Sequence, residues 1–486
     1  MIRNERQYKI TKSQADGFRR AHEQLQNAPV GDTHSPDYLR WKIQLDAVGS
    51  QLEELDADIR EYEALRGDTA TPFEIGSIDE FPRVLIQGRI AAGLTQRDLA
   101  VKLGLKEQQI QRYESTDYQG ASFDRIQQIV KALGLRIRQE VFLPDQPITV
   151  ESILQKLAEL GLDRNFVVHR MIPERLRTAM ERGESEGVQE NLVIPWANSI
   201  ARVFRIEARD LLRAAPLQIN ESALAAGRFK LPANYSKTKF AAYTVYAHYL
   251  ALLVLQATPN LVTSPIPASW KHVRRQILAK YGELSLSSII GYCWDMGIPV
   301  LPLSDPGLFH GATWRVQFRN VVVVKQRTTS EARWMTDILH ELWHASQSPE
   351  LPDSGVIELD PRSEAYTQSV DEEIATDFAA DVLLNGRAEE LAEECATVCS
   401  RRTEWLKNAV GKVATRNGVR EDVLANYLAY RLKKEGEDWW ATATSMQRTR
   451  QDAWQLVREP ILFRIDWNRL SPPDRELLQR SLQSKE

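Results

Sequence analysis

The spacing of hydrophobic residues predicts a mainly α-helical chain. Two polar-rich helices are predicted within residues 8–66, and proline and glycine break the pattern near 27–36. Residues 67–82 mix Gly, Thr, Pro and acidic residues without periodicity, which is typical of a linker. Helical periodicity resumes over 83–138 and 149–217, and it continues for the most part over 218–310.

A short β region follows these helices. Residues 312–317 and 320–326 predict two strands, with Arg319 and Asn320 at the turn between them. The valine run at 321–324 indicates that the second strand is buried. Beyond it, the pattern predicts a helix around 335–346, a proline-containing loop, a helix at about 371–384 and a helical C-terminal region.

The composition is typical of a globular protein with several domains. At 486 residues, against about 100 to 200 residues per domain, we expect about two to four domains. Apolar residues make up 43% and charged residues 26%, and there is neither a signal-peptide pattern nor a window of about 18 apolar residues. Three cysteines are too few for a disulfide framework. We therefore expect a cytoplasmic protein without a membrane span.

Two of the cysteines are close in sequence. Cys395 and Cys399 would share one face of a helix, which permits a redox or metal-binding pair. The alternative is that both are small core residues.

Residues 94–114 have the pattern of a helix-turn-helix. Thr95 is placed to cap a first helix, and Gly104 is placed at the tight turn. A second helix is predicted from about residue 107. The inward-facing apolar positions are Leu99, Ala100, Leu103, Ile110 and Tyr113.

The polar residues of this segment suit DNA. Residues 83–140 contain ten Lys or Arg against six Asp or Glu, although the whole chain has a net charge of −4. Glutamine and arginine on the second helix can pair with base edges, while other polar groups can hold phosphates. A helix-turn-helix used for protein contact is the alternative. The predicted DNA-contacting residues are Gln96, Lys106, Gln108, Gln109 and Arg112.

This segment resembles the Xre/Cro-like repressor family. The family pattern Leu-Thr-Gln-x-x-Leu-Ala-x-x-Leu-Gly is matched at residues 94–104, and Ile-x-x-x-Glu is matched at Ile110 and Glu114. Apolar positions on both sides fit the outer helices of the family's five-helix domain. The resemblance implies operator DNA as a partner.

The sequence His340-Glu341-Leu342-Trp343-His344 is a His-Glu-x-x-His motif in a stretch without helix breakers. Two imidazoles one helical turn apart can bind one Zn²⁺. Glu341 lies on the adjacent side, where it is the candidate general base toward water and the proton donor to a leaving amine. A catalytic zinc site needs a third protein ligand.

The helix predicted at 371–384 offers that ligand. Its predicted buried stripe consists of Ile374, Ala375, Phe378, Ala379, Val382 and Leu383. Glu372 lies at the margin of this stripe, whereas Glu373 lies on the opposite side. Glu372 is therefore the predicted third zinc ligand.

The combination resembles the ImmA/IrrE family of metallopeptidases from about residue 230 to 385. In that family a strand hairpin precedes His-Glu-x-x-His, and Glu-x-x-Ala-x-x-Phe-Ala lies on a later helix. The matches here are Trp334, the motif itself, Glu372, Ala375, Phe378 and Ala379. Asp337 stands where the family usually has Thr, and Leu384-Asn385 replaces a common Met-Pro.

The resemblance also implies how a substrate binds. An exposed edge of the hairpin would receive the substrate as an added strand, because main-chain pairing orients a peptide over the metal. His310, just before the hairpin, is a candidate oxyanion stabiliser; a purely structural role is the alternative.

The predicted fold is mainly α and multidomain. It combines an Xre-type five-helix domain with an α+β zincin-like peptidase domain that contains a small antiparallel sheet. The predicted regions are a helical hairpin at 1–68, a helix-turn-helix domain at 80–140, a helical connecting domain at 146–217, a peptidase domain at 218–395 and a C-terminal helical region at 396–486.

The leading functional hypothesis is a DNA-binding transcriptional regulator with a built-in zinc endopeptidase. Its substrate would be a repressor, a toxin-like partner or the chain itself, in stress, mobile-element or defence control. One alternative is a non-proteolytic repressor or antitoxin-type regulator that uses the zincin fold as a sensor or docking module. Another is a peptidase whose helix-turn-helix is a protein-binding adaptor. We expect a homodimer, with the N-terminal hairpin either supporting dimerisation or packing on its own chain.

Overall fold

The computed structural model describes residues 1–27, 36–67, 81–136, 149–183, 186–211, 217, 237–305, 309–326, 328–359, 370–447 and 452–483. The chain divides into two compact units, Met1–Leu143 and Pro144–Glu486. Most of the predicted break near 27–36, most of the linker predicted at 67–82 and the helical prediction for 218–236 lie outside the described residues. Phe81 and Pro82, which belong to the predicted linker, begin a helix instead.

The first unit is helical. Its helices are α1 (Glu5–Gln26), α2 (Pro36–Arg66), α3 (Phe81–Ala91), α4 (Gln96–Leu103), α5 (Glu107–Ser115) and α6 (Phe123–Leu133). Thr95 caps α4 as predicted, since its side chain accepts from the Asp98 N–H. Gly104 ends α4 with φ 66, a left-handed conformation that favours glycine. The turn between α4 and α5 therefore follows directly from the sequence.

The α1–α2 hairpin packs on the helix-turn-helix of its own chain. Ile2, Ile59 and Tyr62 share a hydrophobic core with residues of α3 to α6. Arg89 and Glu114 form a buried ion pair in the same unit, since they are only 2% and 0% exposed. Arg89 Nη2 donates to Glu114 Oε2 at 2.8 Å. Arg89 Nη2 also donates to the carbonyl of Arg3 at 2.7 Å, so the N-terminus is fixed to the same pair.

The described residues of the second unit share an extended hydrophobic core, whose members run from Val150 to Leu482. Its helices are α7 (Val150–Glu159), α8 (Arg164–Arg170), α9 (Glu174–Glu181), α10 (Glu186–Phe204), α11 (Ala208–Leu211), α12 (Lys237–Ala257), α13 (Trp270–Tyr281), α14 (Leu286–Asp295), α15 (Glu331–Ser346), α16 (Val370–Leu384), α17 (Ala388–Val398), α18 (Thr403–Asn417), α19 (Glu421–Lys434), α20 (Trp440–Ser445), α21 (Ala453–Arg464) and α22 (Pro472–Ser481), with a 3₁₀ turn at Trp467–Arg469.

Distant parts of this unit are joined by a buried ion pair. Arg170 Nε donates to Asp305 Oδ1 at 2.5 Å, and Arg170 Nη1 donates to the carbonyl of Arg480 at 2.6 Å. The pair links α8, the end of β1 and the C-terminal helix α22. All three cysteines are buried and free of disulfides. None of the described helices is both long and apolar enough to cross a membrane.

A mixed four-stranded sheet lies inside the second unit. Its strands are β1 (Val300–Leu303), β2 (Phe309–Val316), β3 (Arg319–Lys325) and β4 (Ser354–Leu359), in the order β1-β3-β2-β4. β2 is antiparallel to both β3 and β4, whereas β1 is parallel to β3. The predicted antiparallel hairpin is therefore present, but the sheet as a whole is not purely antiparallel.

The predicted position of the hairpin turn is wrong by two residues. The chain turns at Gln317 and Phe318, with φ 49 and 64, as two-residue hairpin turns require. Arg319 and Asn320 lie in β3 instead. Their side chains have partners there, since Arg315 Nε donates to Asn320 Oδ1 at 2.9 Å and Arg319 Nη1 donates to the carbonyl of Leu255 at 2.6 Å.

Strand β4 corrects the prediction for the loop after the zinc-motif helix. It lies within the segment predicted to be a loop, and it pairs with β2 along the edge that β3 leaves open. β1 pairs with the other hairpin strand. Both hairpin edges are therefore paired within the chain among the described residues, which corrects the expectation that a hairpin edge is open to a substrate strand.

Helix α16 buries most of the predicted stripe, and the exception is Ile374. Ala375, Phe378, Ala379 and Val382 are buried as expected, but Ile374 is 45% exposed. Ile374 lies on the arc of the helix that also carries the exposed Glu373 and Asp377. Thr376, which the predicted buried stripe left out, is buried.

Candidate metal centre and helix-turn-helix surface

Helix α15 carries the His-Glu-x-x-His motif and lies between the sheet and α16. Ser330 caps its N-terminus by accepting from the Arg333 N–H. Apolar residues on several sides of α15, among them Trp334, Met335 and Ala332, are fully buried. Because neighbours cover the helix nearly all round, the motif residues are buried too: His340, Glu341 and His344 are 3%, 0% and 6% exposed. Buried polar groups of this kind require polar partners.

The structure brings His340, His344 and Glu372 together. His340 Nε2 lies 3.0 Å from Glu372 Oε2, His344 Nε2 lies 3.6 Å from the same oxygen, and the two Nε2 atoms are 3.2 Å apart. Ligand atoms arranged tetrahedrally around zinc at about 2.0–2.2 Å are about 3.3–3.6 Å from one another. The three side chains therefore have donor types that zinc binds, and their spacing lies close to the tetrahedral one.

Thr376 holds His340 in the orientation that a metal ligand needs. Its hydroxyl donates to the carbonyl of Glu372 at 2.8 Å and lies 3.3 Å from His340 Nδ1. Since the hydroxyl proton is used in the first bond, the Thr376 oxygen can accept from His340 Nδ1–H, and in that tautomer His340 would offer its Nε2 lone pair to a metal ion. Sequence reasoning missed Thr376, although its place one turn after Glu372 was a usable signal.

The protonation states also suit a metal ligand set. Burial raises the pKa of the Glu372 carboxyl, but hydrogen bonds from His340 and His344 outweigh burial and lower this pKa to about 2. Burial lowers the pKa of the His344 imidazole below its ordinary value. An ionised carboxylate and a neutral imidazole are the forms that bind metal.

Glu341 is positioned by strand β2. Thr313 Oγ1 lies 2.7 Å from Glu341 Oε2 and 2.9 Å from the Glu341 carbonyl, so the hydroxyl can donate to either oxygen. At Gly311, a Cβ atom would come within 2.1 Å of Glu341 Oε1. The carboxylate thus occupies space that only glycine leaves open.

Arg315 holds the C-terminal end of α15. Its Nη2 donates to the carbonyls of Ala345 and Gln347 at 2.6 and 3.0 Å, and its Nη1 donates to the carbonyl of Ser348 at 2.5 Å. Gly311, Thr313 and Arg315 alternate along β2 and therefore share the face that contacts α15. Polar residues at alternate positions of a buried strand were the available signal for Thr313 and Arg315.

His310 lies in the same region. The register between β2 and β4 shifts between Phe309 and Gly311, so His310 stands at a β-bulge. Bulges redirect side chains and are common beside active sites. His310 is half-buried and lines a cleft together with His340.

The predicted DNA-contacting residues fall into two groups. Gln108 and Arg112 are exposed and lie one turn apart on α5. Lys106 and Gln109 are also exposed, and Gln109 Oε1 accepts from the Lys106 N–H at 3.1 Å, which closes the start of α5. Gln96 Nε2 instead donates to the buried Glu114 Oε2 at 2.7 Å, so its amide is used within the protein.

Residues 85–139 match the model of the Helix-turn-helix family. The predicted helix-turn-helix is thereby confirmed, and the match indicates a DNA-binding regulator. No curated protein and no solved structure gives a significant match to the chain.

Proposed function

We propose that this protein is a DNA-binding transcriptional regulator with a built-in zinc-dependent endopeptidase. The peptidase proposal rests on one observation: ligand atoms of His340, His344 and Glu372 converge next to the buried Glu341 in a His-Glu-x-x-His helix. The sequence resemblance to the ImmA/IrrE family supports the same reaction. The family match at 85–139 supports the DNA-binding half.

In this proposal His340, His344 and Glu372 hold one zinc ion, which supplies Lewis-acid activation of a peptide carbonyl and acidifies water. Glu341 accepts a proton as general base and later donates it to the leaving amine. Thr313 and Gly311 keep the Glu341 carboxylate in place for both transfers. His310 donates to the developing oxyanion from the β-bulge.

The partners we propose are DNA and a protein. Gln108 and Arg112 contact base edges, with Lys106 on a phosphate. A homodimer would present two α5 helices to two half-sites of an operator. The cleaved protein is a separate repressor, a toxin-like partner or the chain itself, in stress, mobile-element or defence control.

A cleavage assay with matched glutamate variants tests the peptidase. The zinc-loaded full chain is incubated with each protein encoded beside its gene, with and without DNA that the chain binds. We expect wild type to cleave at least one of them, and Glu341→Gln to be slower by about a hundredfold or more with unchanged zinc content. Glu373→Gln is the control, because Glu373 lies on the solvent side of α16 and pairs with Lys434.

Two results would contradict the proposal. Equal cleavage by wild type and Glu341→Gln would remove Glu341 from the chemistry. The absence of cleavage by the zinc-loaded wild type, including of its own chain, would favour the non-proteolytic sensor or docking role.

A further inference from the structure

A cleft opens beside His340, and its walls come from parts of the second unit that are far apart in sequence. Helix α16 contributes Ala380 and Leu383, while α19 and α20 contribute Val423, Tyr427 and Trp440. The cavity volume of the cleft is about 60 Å³, which is small beside the pockets of about 300–1,000 Å³ that enclose whole drug-sized ligands. The cleft can therefore take no more than a single side chain of a bound peptide.

The polar side chains of the wall are held by other residues of the protein. Tyr427 donates to Glu389 Oε2 at 3.0 Å, and Gln447 donates to Asn426 Oδ1 at 3.0 Å. Tyr430 forms a side-chain hydrogen bond with Thr376. Because these groups are engaged, the interior offers mainly apolar surface to an occupant. A charged or strongly polar occupant would lose its water without regaining equivalent hydrogen bonds.

The charged side chains that line the cleft favour neither a cationic nor an anionic occupant. Arg333 and Asp337 line it from neighbouring turns of α15 and carry opposite charges. The Arg333 guanidinium stacks over the Trp440 ring at 4.2 Å, and Asp337 accepts a hydrogen bond from Gln326. Each charge is thus engaged by the protein itself, which argues against selection of a charged side chain.

We propose that this cleft binds an apolar side chain, aliphatic or aromatic, of a peptide whose reacting carbonyl lies at the metal centre. The inference rests on the proposed peptidase function, because the link between cleft and chemistry is His340, which lines the cleft and belongs to the ligand cluster. Helices α19 and α20, to which the sequence assigned no chemistry, then determine which peptides fit.

Peptide hydroxamates test this proposal without a known substrate. The probes form two series, extended on the amino or on the carboxyl side, and differ only in the side chain next to the hydroxamate: glycine, leucine, phenylalanine, aspartate or lysine. Affinities are measured by calorimetry on the zinc-loaded full chain. In at least one series we expect leucine and phenylalanine probes to bind at least tenfold more tightly than the glycine probe, and the charged probes no more tightly than glycine.

Variants of the cleft wall complete the test. Ala380→Met fills the cleft and should abolish the preference, while Leu383→Ala enlarges it and should shift the preference toward phenylalanine. Both should bind the glycine probe and zinc as wild type does, which also shows that they fold. Ile374→Ala changes the exposed face of the same helix and should leave every affinity unchanged.

The possible failures are distinguishable. Equal affinities within both series, or tighter binding of a charged probe, would overturn the apolar cleft and leave the metal centre intact. If no hydroxamate binds the zinc-loaded wild type, the metal centre itself is contradicted, and the cleft proposal falls with it.

Discussion

Glu341 lies so close to Gly311 that the two positions depend on each other: a Cβ atom on residue 311 would come within 2.1 Å of Glu341 Oε1. The contact joins Glu341, in helix α15, to strand β2, which comes earlier in the chain. Flexible side chains often yield to such a clash, but Glu341 is fully buried and also bonded to Thr313. A side chain at residue 311 must therefore displace the carboxylate.

Replacing Gly311 should impair chemistry more than metal binding. Gly311→Ala is expected to lower peptide cleavage by at least about tenfold, because Glu341, the proposed general base, moves, while zinc content stays normal. Cleavage rate and zinc stoichiometry are measured on the same preparation. Gly411→Ala is the control, since its new Cβ would meet only the end of the Glu421 side chain at 3.2 Å. Unchanged cleavage by Gly311→Ala would show that Glu341 tolerates displacement.

Thr376 should contribute to zinc affinity through His340. Thr376→Val keeps the shape of the side chain but removes the acceptor for His340 Nδ1–H, so we expect zinc to bind about 10–100-fold more weakly. Thr376→Ser keeps the hydroxyl and should restore most of the affinity. Competition with a chromophoric chelator measures both. Equal affinities of the valine and serine variants would exclude this positioning role.

Arg315 should be important for stability. Arg315→Met leaves the carbonyls at the end of α15 without their charged donor, and we expect a loss of at least about 3 kcal/mol in unfolding free energy. Urea unfolding of the second unit measures the change. Arg416→Met removes an exposed arginine paired with Glu394 and should change stability by only about 0.5 kcal/mol or less. Comparable effects of the two substitutions would contradict the role of Arg315 in holding α15.

His248 should make the second unit sensitive to acid. Burial, with a smaller contribution from Arg205, lowers the pKa of His248 to about 4, and the ring packs on Trp314. Between pH 6.5 and 4 the unfolded chain therefore binds a proton that the folded chain excludes, so folding becomes less favourable as pH falls. Between pH 7 and pH 4, the free energy of unfolding should therefore fall by about 2–3 kcal/mol less in His248→Phe than in the wild type. Urea unfolding at several pH values measures this, and an unaltered pH dependence in the variant would contradict it.

The exposed residues of α5 should determine DNA recognition. The probe is the DNA sequence that the wild-type chain selects from a random pool. Gln108→Ala and Arg112→Ala together should weaken binding to it by about a hundredfold or more, because each base contact contributes about 1–3 kcal/mol. Zinc content should not change. Gln119→Ala, in the exposed turn after α5, is the control; wild-type affinity in the double variant would mean that α5 does not read bases.

Local periodicity was enough to place each candidate ligand on its own helix, while the need for a third ligand and the family resemblance suggested that the two helices meet. His340 and His344 lie one helical turn apart, and Glu372 lies at the edge of a buried stripe, so both relationships exist within single helices. The cap at Thr95 and the turn at Gly104 are local in the same way. These positions lie where the sequence placed them.

Features that depend on sheet register could not be predicted. Gly311, Thr313 and Arg315 matter because β2 lies against α15, and residues on different elements carry no shared periodicity. The pairing of β4 with β2 and the exposure of Ile374 likewise depend on which surfaces are covered by distant segments. The same holds for α19 and α20, whose place beside His340 is a matter of tertiary packing.

The most direct test of the proposed metal centre is zinc K-edge X-ray absorption, measured on the zinc-loaded full chain and on its His344→Ala variant. We expect about one zinc per chain, with nitrogen and oxygen ligands at about 2.0–2.2 Å, and loss of tightly bound zinc in His344→Ala. Sulfur ligands at about 2.3 Å, which Cys395 or Cys399 would supply, or a His344→Ala spectrum and zinc content equal to those of wild type, would contradict a centre built from His340, His344 and Glu372.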